Sequence, residues 1–236
     1  MSVLIVVSHP DDEVLGCGGT TAALAANGIS VYSCILSGSA SARNNKPSYS
    51  LFLQHISKAN ELLGGREYIL GDFPNIKLNT IPHLTLVNFI EEAIIKTGAD
   101  QIFTHHPQDL NDDHRHTSLA CQAAARLFQR RKNVSPLKGL YLMEVLSSTD
   151  WSFPGNVQFQ ADTFFEIGEE FLVKKIQALK AYKGVMRDFP HPRSAEILRG
   201  LAAYRGGQSG MNYAEAFQTV FSAITIQDFR GSMNVS

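Results

Sequence analysis

Cysteine is scarce in this sequence: three residues in 236, at positions 17, 34 and 121. The number is odd, the spacing is wide and no C-x-x-C pair occurs. A disulfide framework and a thiolate zinc site are therefore both excluded. An excess of charge of one sign is also lacking. Lys and Arg number 21 against 22 Asp and Glu, a formal net charge of −1, so no general electrostatic affinity for nucleic acid is expected. No apolar run approaches the roughly 20 residues that span a bilayer, so no membrane span is expected. The chain opens on a strand rather than on a basic segment with an apolar core. No secretory signal is read in it, and a reducing, cytoplasmic setting is expected. Repeats and linkers are missing too, so residues 1–236 are read as a single domain.

What the sequence does contain is an alternation of strand-like and helix-like segments. Val3–Val7 is a continuous, mostly β-branched run, the pattern of a central parallel strand. Gly16, Gly18 and Gly19 lead into a helix predicted over Thr20–Asn27, with Gly28 as its stop. Further strands are predicted at Ser30–Leu36, Glu67–Leu70, Gln101–Thr104 and Gly139–Leu146. Helices are predicted at Leu51–Leu63, Ile81–Lys96, Thr117–Arg131 and Phe171–Tyr182. The Ser-, Asn-, Gly- and Pro-rich stretch Ser37–Ser50 reads as a loop. This order predicts an α/β fold: a Rossmann-like, mostly parallel sheet with helices on both faces.

In such sheets ligands bind beyond the carboxyl ends of the strands. Two segments crowded with His and Asp fall there. "HPDDE", His9–Glu13, follows the first strand, and "HHPQDLNDDHRH", His105–His116, follows the Gln101–Thr104 strand. Three adjacent carboxylates repel one another unless solvated, paired or neutralised by something positive. The nearby "GCGG" invites a dinucleotide reading, but that fingerprint needs glycine at the turn itself, and this acidic turn would repel a pyrophosphate. Close packing of helix on strand explains the glycines better. A divalent ion suits the His/Asp set. His9 and Asp12, three residues apart, can converge on one ion, with a third ligand from the second segment and a position left open for water.

With "HPDDE" and "GCGGT" in place at the first strand, the chain resembles the PIG-L/LmbE-like family of zinc-dependent N-deacetylases, which act on N-acetylglucosaminyl and related amino-sugar conjugates. "HHPQDLNDDHR" is similar to the family's second metal motif. "EVLSSTDW", "FPHPRS" and "YRGGQSGMNYAEAF" extend the likeness in patches over nearly the whole chain. The resemblance implies one zinc, or another divalent ion, per chain on His9, Asp12 and His114, with Asp11 as general base and Glu13 making local hydrogen bonds. It also implies an amino-sugar conjugate as partner, and the closed homo-oligomers the family often forms. One departure stands out. Where many members have His-Pro-Asp-His, with an oxyanion-stabilising first histidine, this chain reads Asn111-Asp112-Asp113-His114.

The expected oxyanion donor is therefore another imidazole, His191 ahead of His106, held charged by Asp113 or Asp109. Arg43, Asn111, Asp113 and Arg193 are expected at the substrate, Arg43 within a rim formed by Ser37–Ser50. For Arg193 and Arg205 surface pairing is the competing explanation. Two alternatives to deacetylation stay open: another metal-dependent hydrolase of phosphoesterase type, which would normally need a second metal, and a non-catalytic sugar-binding relative.

Overall fold

The computed structural model describes residues 1–38, 48–153 and 158–226. Its framework starts with the apolar run behind Met1. This forms β1 (Ser2–Val7), whose side chains serve two cores in alternation. Val3, Ile5 and Val7 face one core, while Leu4 and Val6 face the other. A strand buried on both faces is apolar along its buried length, and this one is from Val3 to Val7.

β2 (Ser30–Ile35) pairs in parallel with β1 on one side, and β4 (Gln101–His105) pairs in parallel on the other. β3 (Glu67–Leu70) extends the sheet beyond β2, and β5 (Gly139–Met143) extends it beyond β4, both in parallel. Two segments that lacked a strand signal complete the sheet. β7 (Ala214–Ser222) runs antiparallel to β5, and β6 (Thr163–Glu166) pairs antiparallel with β7. The seven-stranded order is β3-β2-β1-β4-β5-β7-β6.

Helices cover both faces. α1 (Asp12–Ala26), α2 (Tyr49–Leu63), α5 (Gly168–Ala181) and α6 (Ala195–Ser209) contribute Val14, Phe52, Ile176 and Leu198 to one core. α3 (His83–Thr97) and α4 (Asp112–Ala124) contribute Leu86, Ile90 and Cys121 to the other. Among the described residues no helix is long and apolar enough to cross a membrane. The three cysteines are buried and unbridged.

Two helix starts correct the sequence reading. α1 begins at Asp12 instead of Thr20, so the glycines lie inside it. They permit close approach: a Cβ on Gly16 would lie 2.4 Å from the Met143 sulfur, and one on Gly19 would lie 2.7 Å from Ile167 Cδ1. α4 begins at Asp112 rather than Thr117 because Asn111 caps it, its side chain accepting the Asp113 N–H. α6 also went unread, since its three glycines dilute a helical pattern.

β1 connects onward through α1 to β2 on one side, whereas β4 lies on the other side. The order of the strands therefore reverses between β1 and β4. A crevice opens at such a switch point, beyond the carboxyl ends of the two strands.

Candidate metal centre

Both acidic segments converge on this crevice. Leaving β1, the chain turns tightly at His9–Asp12. Asp11 takes up the left-handed conformation there, with φ of 107°, a strained region that Asp tolerates better than most residues and that clusters at functional sites. Its backbone N–H donates to Glu13 Oε2 at 2.9 Å. Glu13 is buried and also accepts from the Tyr182 hydroxyl at 2.5 Å. Burial pushes the Glu13 carboxyl up to about 8. Glu13 thus holds the turn. The Asp11 side chain makes no cap to α1 and instead joins the wall of a cavity of about 450 Å³.

Asp12 is buried. Its Oδ2 accepts the His9 backbone N–H at 3.0 Å and lies 3.2 Å from His9 Nδ1 and 3.1 Å from His114 Nε2. One donor atom from each of His9, Asp12 and His114 falls within 4.8 Å of the other two. His114 comes from the first turn of α4, so the capping of that helix by Asn111 is what brings it to the crevice.

The outer nitrogens of both imidazoles are taken by carboxylates. His9 Nε2 meets Asp113 Oδ2 at 2.9 Å, and His114 Nδ1 meets Asp109 Oδ2 at 3.2 Å. Each carboxylate is itself fixed. Asp113 accepts the N–H groups of Ile76 and Leu78 at 2.6 and 2.9 Å. Asp109 accepts from Thr149 Oγ1 at 2.7 Å, from the Asn111 N–H at 2.9 Å and from Ser148 Oγ. A carboxylate behind each histidine fixes ring orientation and raises ligand basicity, the arrangement found around histidine-held metals. His9 Nδ1 and His114 Nε2 are left facing Asp12. His114 Nε2 is buried and has no hydrogen bond of good geometry, despite its closeness to Asp12. That orphaned nitrogen, with a carboxylate and a second imidazole beside it, is the donor set a divalent ion requires, and the residues fit such an ion.

Without an ion the cluster balances its charge with protons. Burial opposes a positive His114, but the Asp12 carboxylate and the bond to Asp109 outweigh it and raise this histidine to about 10. Burial would also raise Asp12, yet the charge of His114 and the bond to His9 hold it well below the usual carboxylate range. His105 stacks on His114 with ring centroids 3.8 Å apart. Burial and the neighbouring His114 push it down to about 3. It is neutral, and its Nε2 accepts the Ser8 N–H at 2.9 Å.

The remaining candidates divide. Asn111 and Arg193 line the cavity. Asp113 does not serve the substrate as expected: it stands behind His9, buried, with His9 and two backbone N–H groups on its carboxylate. Neither candidate ring for the oxyanion is among the residues that line the cavity. His106 is buried outside the cavity wall, accepting the Gln108 N–H at 3.2 Å and packing edge-on to Phe159. Burial lowers its pKa, so it carries no charge to offer. His191 is exposed and also off the wall, its Nδ1 accepting the Arg193 backbone N–H at 3.0 Å. Arg43 and most of the expected rim loop lie outside the described residues.

Three wall or support residues had been passed over. Ser148 and Thr149 hold Asp109, and Ser147 lines the cavity. Their only signal in the sequence is the patch "EVLSSTDW".

Residues 4–125 match the family described as PIG-L: GlcNAc-PI de-N-acetylase. A relative from Escherichia coli K12, the uncharacterized deacetylase YaiS, is 27% identical over 192 residues, which is 77% of this chain and 90% of that one. Among solved structures, the N,N'-diacetylchitobiose deacetylase of Pyrococcus horikoshii superposes with a TM-score of 0.71 at 18% identity, over 93% of this chain and 83% of that one. GalB of Pseudomonas putida KT2440, a 4-carboxy-2-hydroxymuconate hydratase, superposes with a TM-score of 0.74 at 20% identity, over 95% of this chain and 98% of that one. At these identities the two structures establish a shared fold. That a deacetylase and a hydratase both use it means the fold alone does not select the reaction.

Proposed function

Because this chain belongs to the PIG-L family of de-N-acetylases, we propose that it hydrolyses the acetamido group of an N-acetylglucosamine-type sugar or sugar conjugate, releasing acetate and the free amine. The observation that carries the reading is the placing of Asp11. Asp11 lines the same cavity as His9, Asp12 and His114, one residue from a ligand candidate, and its side chain makes no cap to α1.

His9, Asp12 and His114 would hold one divalent ion, and their donor set suits zinc. Such an ion, when bound, polarises an acyl oxygen and lowers the pKa of water toward about 7. The chain supplies the rest. Asp113 and Asp109 keep the two imidazoles oriented. Asp11 accepts a proton from water as its oxygen adds to the acetyl carbon. As the C–N bond breaks, Asp11 returns that proton to the leaving nitrogen. General acid–base work of this kind contributes about 10²–10⁴ in rate. Asn111 on the cavity wall suits a sugar hydroxyl.

The test is acetate release from a panel of N-acetylated amino sugars, with and without a chelator. Acetate that appears only in the metal-loaded protein is the expected result. A metal-loaded protein that releases none, but hydrates an unsaturated acid or cleaves a phosphoester, would replace the reading.

A further inference from the structure

The departure at Asn111 leaves the developing oxyanion without its usual histidine, and neither His106 nor His191 reaches the cavity wall. A different cation does. Arg193 lines the cavity, and its Nη1 lies 3.5 Å from Asp11 Oδ2. Its side chain is one-quarter exposed, so it is open to a substrate while sheltered from bulk water.

We propose that Arg193 is a catalytic residue, donating from its guanidinium to the acyl oxygen as negative charge builds there. The proposal rests on the deacetylase reading above. Three observations carry it. The first is reach. When water adds to the acyl carbon, the C=O π pair moves onto oxygen, and the new hydroxyl and the oxyanion share that carbon. The attacking oxygen is hydrogen-bonded to Asp11 as it gives up its proton, so the geminal oxygen falls within reach of a group already touching Asp11.

The second is capacity. A guanidinium has five N–H donors in a fixed fork. The Nε–H donates to Ser147 Oγ at 2.8 Å, and Nη1 lies 3.5 Å from Asp11 Oδ2. Among the described residues no further partner takes the rest of the fork, which suits substrate.

The third is positioning. Arg193 is anchored at both ends. Its backbone N–H is held by His191 Nδ1 and its carbonyl accepts from the Arg187 N–H at 3.3 Å, while Ser194 caps α6. At the other end Ser147 holds the Nε–H from a left-handed conformation, φ of 70°, that serine rarely adopts. Ser148, next in the chain, braces Asp109 behind His114. A single turn therefore sets the guanidinium and one ligand histidine relative to each other. Collapse then re-forms C=O, the C–N pair leaves with nitrogen, and nitrogen takes the proton from Asp11. The hydroxyl proton is lost as acetic acid ionises.

The experiment compares metal-loaded wild type with Arg193→Ala, Arg193→Lys and Ser147→Ala, reading metal content, kcat and KM. It also reads calorimetric affinity for a tetrahedral methylphosphonamide of glucosamine, a mimic of the adduct. Loss of one oxyanion donor costs about 10²–10³ in kcat, and that fall is expected for Arg193→Ala with KM and metal content little changed. Affinity for the mimic should fall in parallel, millimolar guanidinium should restore part of the rate, and Ser147→Ala should show a smaller loss of the same kind. An unchanged kcat, a rise confined to KM, or undiminished affinity for the mimic would overturn the assignment. A metal-loaded wild type that releases no acetate would sink the deacetylase reading and this assignment with it, whereas acetate release that Arg193→Ala leaves untouched would sink this assignment alone.

Discussion

Two carboxylates sit buried at α1, one at its start and one against its middle, and they do opposite things. Glu215, on β7, accepts the N–H groups of Gly19 and Thr20 at 2.9 and 2.7 Å and pairs with Lys175 Nζ at 2.6 Å. Both partners of that ion pair are buried, and the charge is balanced within the pair. Among the described residues Asp12 has no lysine or arginine bonded to it; its neighbours are the imidazoles of His9 and His114, and a cavity opens beside it. Burial and charge are common to both clusters. What separates the candidate site from the structural cluster is unfilled bonding capacity next to open space: His114 Nε2 has it, and the Glu215 carboxylate does not.

The contrast breaks most visibly at Asp11. Asp11→Asn preserves shape but cannot accept a proton, so turnover should fall by about 10²–10⁴ at unchanged metal content. Equal turnover at full occupancy would take Asp11 out of the reaction. At the other cluster the loss should be one of folding. Glu215→Gln leaves Lys175 buried without its counter-ion, which typically costs about 3–5 kcal/mol. A shifted urea midpoint should report it, with activity per folded molecule kept. A variant as stable as the wild type would mean that the pair is not the structural element described.

Sharpening the comparison within the metal centre, Asp113→Asn and Asp109→Asn should each weaken metal binding about 10–100-fold. Competition with a coloured chelator measures this. Weakened sugar binding at unchanged metal affinity would return Asp113 to the substrate.

How far the sequence discloses this arrangement follows from the range of each contact. His9 and Asp12 sit three apart in one turn, and sheet rules bring the second His/Asp cluster to the same edge, so the meeting of the two segments is readable from spacing; the choice of His114 within that cluster comes from the family resemblance. The role of Asp113 is not. It depends on the N–H groups of Ile76 and Leu78, which lie 37 and 35 residues away and carry no side-chain signal. Arg193 meets Ser147 across 46 residues for the same reason. The start of α4 was legible in principle, since Asn111 followed by two acids is a helix-start pattern. The apolar periodicity that begins only later drew the boundary too far along. β6 and β7 were missed because half-exposed antiparallel strands lack the continuous apolar run that marks β1.

His114 also sets a pH dependence. In the metal-free protein His114 is raised from 6.5 to about 10. Its contribution to stability is complete below the unfolded value of 6.5 and is lost as pH climbs toward about 10. A bound ion requires the neutral imidazole, so loading should remove this slope and release a proton. Urea midpoints across that interval, with and without metal, check the sign. A metal-free protein that gains stability over the interval would contradict the charge assignment.

The central claim is that a single ion is held by His9, Asp12 and His114, with carboxylates behind both histidines. Anomalous diffraction from zinc-soaked crystals tests it most directly. The account predicts one peak per chain, bonded to His9 Nδ1, the Asp12 carboxylate and His114 Nε2, with Asp113 and Asp109 still on the outer nitrogens. Two peaks in the cavity, or one bonded to His9 through Nε2 with Asp113 displaced, would contradict it.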